Sequence, residues 1–254
     1  MLRNCVLQSE GLNLLPITQK EYSIIVMKGI LVIVLLNYLF YRSLWALLPL
    51  ILVGILYIKI EKTHLLKSKR AKAKEQFKEL LLLTATGQKA GYSVENAFLS
   101  AYGEMELLYG QDSSICQMLV LLKRGKENNV SFSQMWRKIG RWTDIPEIQE
   151  FSQIYEIAQS SSGNMTSIME KTADILIQKL EVEKEINVML SGKKMEQKIM
   201  NIMPIAIMLY MEITSPGYFD SMYHVSAGVL VMSMGLLVYL GAYALSLRMI
   251  AIEI

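Results

Sequence analysis

Apolar residues crowd the two ends of this chain and thin out in its middle. From Ser23 to Tyr41, and again from Ser43 to Ile60, nearly every position is apolar. Each run is close to the ~20 residues a helix needs to cross a bilayer core. Only Tyr41-Arg42-Ser43 parts them, so they are expected to fold back as a hairpin. A single span of ~38 residues at ~1.5 Å rise would far exceed a ~30 Å core. Lys28, near the start of the first run, is placed to reach the near interface along its own stem. Two further runs, 199–214 with Pro204 inside it and 225–247, flank a polar loop at 215–224.

Between the hairpins the period changes to that of water-facing amphipathic helices. The stretch Phe77–Ala101 reads as helix, interruption, helix. Gly91 takes the positive φ that closes the first helix, and Ser93 is placed to cap the second, with Glu95 near its positive end. Val94, Ala97, Phe98 and Ala101 resume helical spacing and carry that helix to about Tyr109. Asp112 or Ser113 caps the next helix, whose face is Ile115, Met118, Leu119 and Leu122. Ser131-Phe132-Ser133-Gln134 has the form of a capping box, and Asp144-Ile145-Pro146-Glu147 opens another helix with proline in its first turn. After the break at Ser160–Asn164, including Gly163 and Asn164, a long helix is expected from Met165 to about Ser191. It has one stripe through Met169, Leu176 and Leu180 and a second through Ile168, Ile175, Val182 and Met189. Neither strand alternation nor Asn-Gly or Asp-Gly hairpin turns occur, so the fold class expected is all-α. The predicted organisation is a tail at 1–22, a membrane hairpin at 23–60, a helical domain of about six helices at 61–198, a second membrane hairpin at 199–247 and a short tail at 248–254.

Composition agrees with a membrane protein carrying a sizeable water-facing domain: 52% of 254 residues are hydrophobic and the mean hydropathy is +0.31. The net charge of +3 is unevenly spread. Lys59, Lys62, Lys67, Lys69, Arg70, Lys72 and Lys74 face only Glu61 between positions 59 and 74, a footprint suited to anionic lipid at a membrane surface rather than to nucleic acid. By the positive-inside rule the basic ends put the helical domain and both termini in the cytoplasm. The first apolar run begins too late and runs too long for a signal peptide.

The chemical census is thin. His64 and His224 fall on opposite sides of the predicted membrane, and Cys5 and Cys116 have no ligand or disulfide spacing. No metalloprotease, P-loop, dinucleotide or nucleophile-elbow motif occurs, so no catalytic residue, metal or cofactor is expected. Glu181, Glu183 and Glu185 alternate along a helix and do not face one another. A transporter subunit is the alternative class; its support is the polar trio Asn37, Asn201 and Glu212 within or at the end of spans.

The ordered set Leu80…Ala90-Gly91-Tyr92-Ser93-Val94-Glu95-Asn96-Ala97, the Ser131–Ile139 helix, Ile148, Phe151, Tyr155, Ala158 and Gly163-Asn164, and a long helix running into a span with Pro204 resembles a known family. It is similar to the type II secretion system protein F domain in the single-copy form of Flp/Tad-type pilus assembly proteins (TadB and TadC). The resemblance covers about 77–215. It implies a non-enzymatic platform in a bacterial cytoplasmic membrane, coupling a hexameric secretion ATPase to the assembly or export of pilin subunits. It further implies pairing with a second platform protein of the same domain type or with itself. On that resemblance Gly91, Ser93, Ala97, Gly163, Asn164 and Pro204 are the structural and interaction residues to examine.

Overall fold

The computed structural model describes residues 17–43, 46–160, 165–223 and 225–250. Gly163, Asn164, most of the expected N-terminal tail and the last four residues lie outside that set. The helices are α1 (Gln19–Phe40), α2 (Leu47–Lys89), α3 (Val94–Ser100), α4 (Tyr102–Tyr109), α5 (Ser114–Glu127), α6 (Phe132–Thr143), α7 (Pro146–Ser160), α8 (Met165–Thr214), α9 (Asp220–Tyr223) and α10 (Ser226–Ile250). No strand occurs among the described residues. The chain forms two compact units. One holds residues 64–182; the other holds 18–63 and 183–254. Both boundaries fall inside long helices, α2 and α8.

α2 is one helix of 43 residues, where the sequence suggests a span ending at Ile60 and a separate helix through Phe77. The basic collar between them is rich in Lys, Arg, Ala and Leu, good helix formers, and has no Gly or Pro to interrupt the helix. In the other direction, the helix expected from Val94 to Tyr109 divides at Ala101 into α3 and α4.

The first unit is organised by aromatic side chains. Trp136 on α6 is fully buried and meets Phe98 at 5.1 Å and Phe151 at 5.0 Å, edge to face in both cases. Phe77 of α2 stands 5.8 Å from the same indole. Such edge-to-face pairs add about 0.5–1.5 kcal/mol each beyond the area they bury. Met105, Ile115, Met118, Leu122 and Ile148 close the core around the rings. From α8 the core takes Met169, Ala173, Leu176 and Ile177. Of the second stripe, Ile168 packs against this core, while Ile175 and Val182 are each more than half exposed.

In the second unit α1 and α2 run antiparallel. An added Cβ on Gly29 would come within 2.9 Å of Ile58, and one on Gly54 would strike Ile33. The two glycines therefore let the helices approach closely, as small residues do between membrane helices. Leu36, Leu39, Phe40, Leu50, Tyr223, Met232 and Leu236 form the apolar centre of this unit. Among the described residues, two helices are long and apolar enough to cross a membrane, α1 and the Ala227–Ser246 part of α10. α1 exposes Ile24, Met27, Leu31 and Val34, a surface far more suited to lipid than to water.

Candidate functional site

The Gly91 turn is a Schellman closure of α2. Gly91 has φ +93°. Its N–H donates to the Gln88 carbonyl at 2.9 Å and that of Tyr92 to the Gly87 carbonyl at 3.1 Å. Nothing lies within 4 Å of an added Cβ at Gly91, so its dihedral and not space demands glycine. Ala97 is buried and faces Gly87, where an added Cβ would stand 3.2 Å from the alanine methyl. This small-on-small contact sets how closely α3 returns along α2. Ser93 occupies the N-cap position in extended conformation, but its hydroxyl makes no capping bond, and Val94, Ala97 and Phe98 hold α3 by burial instead. Ser131 departs in the same way. Its hydroxyl pairs with that of Ser133 at 2.8 Å and not with the helix amides, so the expected capping box does not form. At α5 the cap is Ser113, accepting from the Cys116 amide.

A stripe of three cations, Arg70, Lys74 and Lys78, runs along α2 at four-residue spacing, one helical face. Each meets a carboxylate of the same unit. Arg70 reaches Asp144 at 2.7 Å, Lys74 reaches Glu147 at 3.3 Å and Lys78 reaches Glu181 at 3.1 Å. Asp144 ends α6 in the left-handed conformation, Glu147 opens α7 and Glu181 lies on α8. Glu147 is the buried member, at 3% exposure, and Lys179 of α8 approaches the same oxygen at 4.0 Å. Lys179 also binds Glu150 through both carboxylate oxygens. The collar was read from the sequence as facing lipid; Arg70 and Lys74 instead face protein carboxylates. The i, i+4, i+8 spacing was visible in the sequence, but nothing there revealed the acidic partners, which come from three distant segments. Burial raises the Tyr155 hydroxyl well above its ordinary pKa, with the charge of Glu95 adding to it.

In the second unit the charged groups of the two short loops converge. Arg42, at φ +46°, binds Glu212 and donates to Asp220 at 3.0 Å. Its guanidinium rests over the rings of Tyr38 at 4.9 Å and Tyr223 at 5.1 Å. Tyr223 in turn donates to the Leu39 carbonyl at 2.7 Å, and Tyr41 pairs with Ser233. Burial alone would lower the Arg42 pKa; the hydrogen bond and charge of Glu212 outweigh it and raise it. Asn201 lends its backbone carbonyl to the Tyr239 hydroxyl. Lys28 pairs with Glu61 at 3.0 Å, across the α1–α2 hairpin. Pro204 lies within α8 and, with Phe40, Met208, Phe219, Met222 and Tyr239, lines an apolar cavity of about 480 Å³.

No group of three or more metal-ligating side chains occurs among the described residues. The arrangement is one of helix junctions, ion pairs and apolar surfaces. Comparison with protein-family models, curated proteins and solved structures found no match to this chain.

Proposed function

We propose that this chain is a membrane platform of a Flp/Tad pilus-like or type II secretion-like machine, passing the work of a cytoplasmic hexameric ATPase to pilin assembly or export. In this reading the chain crosses the bacterial cytoplasmic membrane four times, as two hairpins. The apolar run 43–60, most of it the start of α2, and the Met- and Ile-rich 199–214 part of α8 supply the second and third spans. The helical block and both termini face the cytoplasm. A second platform protein of the same domain type, or a second copy, completes the assembly.

The observation that carries the proposal is α8. One helix runs from Met165 to Thr214, about 75 Å at the usual rise, with its first turns in the aromatic core and its last in a Pro204-containing apolar stretch. Rigid helices that continue from a water-facing block into an apolar segment are suited to carry a tilt or rotation between the two. The ordered Gly91–Ala97 hairpin fits a mechanical role. The apolar lining of the Pro204 cavity offers a polar solute no path, so the transporter reading gains no support from it.

Insertion of a flexible Gly-Ser segment between Ser191 and Gly192 tests the coupling. Both residues are exposed within α8 and Gly192 has open space about it. The variant is expected to insert into the membrane at normal levels and to fail in pilus assembly or secretion; normal assembly would contradict the coupling.

A further inference from the structure

Charged side chains of the second unit fall into two layers. At one end Lys28 of α1 pairs with Glu61 of α2 at 3.0 Å, with Lys59 and Lys62 beside that glutamate in the chain. At the other end Arg42 holds both Glu212 of α8 and Asp220 of α9. Between the layers three helices carry no charge at all. The uncharged residues are Gly29–Tyr41 from α1, Leu47–Ile58 from α2, and Ile199–Met211 from α8, the last run lying between Lys198 and Glu212. α1 and α2 stand side by side over this length, since Gly29 approaches Ile58 and Gly54 approaches Ile33. Each run is twelve or thirteen residues and rises only about 20 Å, against the ~30 Å of an ordinary hydrocarbon core. Its outer surface is apolar: Leu31, Val34, Leu52, Ile55 and Ile207 are all exposed. Beyond Lys28, α1 stays apolar back to Ile24, but the α2 residues opposite that stretch begin with Glu61 and Lys62. Hydrocarbon that covered Ile24 would cover those charges too. α10 has a longer uncharged run, Ser226–Leu247, and a helix longer than the layer is accommodated by tilt.

We infer that this unit fits a hydrocarbon layer of about 20 Å and thins the bilayer around it. A core of ordinary thickness laid over the belt would submerge one of the two charged layers. Ionised groups in hydrocarbon are costly, whereas lipid tails shorten beside a short span at a modest cost per ångström. Snorkelling does not relieve the inner layer. The Lys28 stem is long enough to carry its ammonium outward, but that ammonium is bound to Glu61, whose stem is shorter and which sits at the same height. The outer layer is held more firmly still, because Arg42 is tied to two carboxylates and rests over the Tyr38 and Tyr223 rings. The inference rests on the four-span reading of the chain and adds to it the kind of bilayer the spans demand.

The test is the thermal midpoint of the purified full chain in fluid phosphatidylcholine vesicles whose mono-unsaturated tails have fourteen, eighteen or twenty-two carbons. The midpoint is expected to be highest at fourteen carbons and to fall by roughly 5–10 °C at twenty-two, as the mismatch grows. Replacing the inner charges together, as Lys28→Leu, Lys59→Leu and Glu61→Leu in one chain, lengthens the apolar run of α1 and α2 and should move the optimum to eighteen carbons. An optimum at eighteen or more in the unaltered chain, a midpoint indifferent to tail length, or a triple variant whose optimum stays at fourteen would each overturn the inference. Carbonate extraction of the same vesicles tells two failures apart. A chain washed off does not cross the bilayer, and the four-span reading falls together with the inference. A chain that is retained but most stable at eighteen carbons leaves the spans standing and overturns the thin layer alone.

Discussion

Gly91 and Ala97 hold the most local information in the molecule, and each does so for a different reason. A side chain at Gly91 meets no neighbour, yet its φ of +93° penalises every L residue. Gly91→Ala should therefore destabilise by about 1–2 kcal/mol, read as a lowered midpoint when the detergent-solubilised protein is heated. Ala97→Leu acts by volume, because an added Cβ at Gly87 would already stand 3.2 Å from the Ala97 methyl. It should cost about 1–3 kcal/mol by the same assay. Tyr155 adds a pH signature. Burial raises its folded-state pKa above the ordinary 10.0, so its stabilising contribution is complete below that value and is lost as the pH climbs past it. Tyr155→Phe should flatten part of the alkaline fall in thermal midpoint; an unchanged alkaline limb would contradict this assignment.

The sequence carries Gly91 plainly, because only backbone geometry is at stake there. Ser93 and Ser131 show where such reading stops. Both occupy cap positions, and in both the hydroxyl goes elsewhere or bonds to nothing in the helix. A cap hydrogen bond is worth about 1 kcal/mol, and the burial of Phe98, Phe132 and Trp136 beside those caps is worth several times as much. Packing therefore fixed the geometry and left the hydroxyls to follow.

Among the elements, α2 and α8 are the ones whose roles changed on folding. The sequence marked a boundary in α2 where charge replaces apolarity, but a change of solvent is not a change of conformation, and Lys, Arg, Ala and Leu continue the helix through it. The cationic stripe of α2 ties α6, α7 and α8 to it through Asp144, Glu147 and Glu181. Of these pairs only the one at Glu147 is buried, so the others should contribute little and fade with salt. Glu147→Ala removes the buried carboxylate that Lys74 meets at 3.3 Å, where the lysine side chain is only 20% exposed. The expected loss is about 3 kcal/mol, while Lys74→Met combined with Glu147→Leu should restore most of it, since apolar replacements remove both charges together. A double variant no more stable than the single one would contradict the pairing. The same reasoning explains why the second stripe of α8 misled: periodicity shows that Ile175 and Val182 share a face, but not whether that face is covered.

At the scale of the whole molecule the hydropathy pattern established an all-helical chain with membrane-competent segments, and two helices bear this out by length and composition. Long-range pairing was the illegible part. Arg42 parts the first two apolar runs and Glu212 lies at the end of the third, far apart in sequence, yet they pair, with the Arg42 guanidinium over two tyrosine rings. Arg42→Ala should lower the thermal midpoint by more than Arg42→Lys, because lysine keeps the charge but not the planar fork that reaches Glu212 and Asp220 at once. The proposed role rests on a wider partnership than any of these contacts. Its most direct test is gentle detergent extraction from native cells of the chain tagged after Ile254. The platform account predicts co-recovery of a hexameric secretion ATPase together with a second platform protein of the same domain type or a second copy of this chain. Recovery instead of a solute-binding or nucleotide-binding transport subunit, with no secretion ATPase, would contradict it.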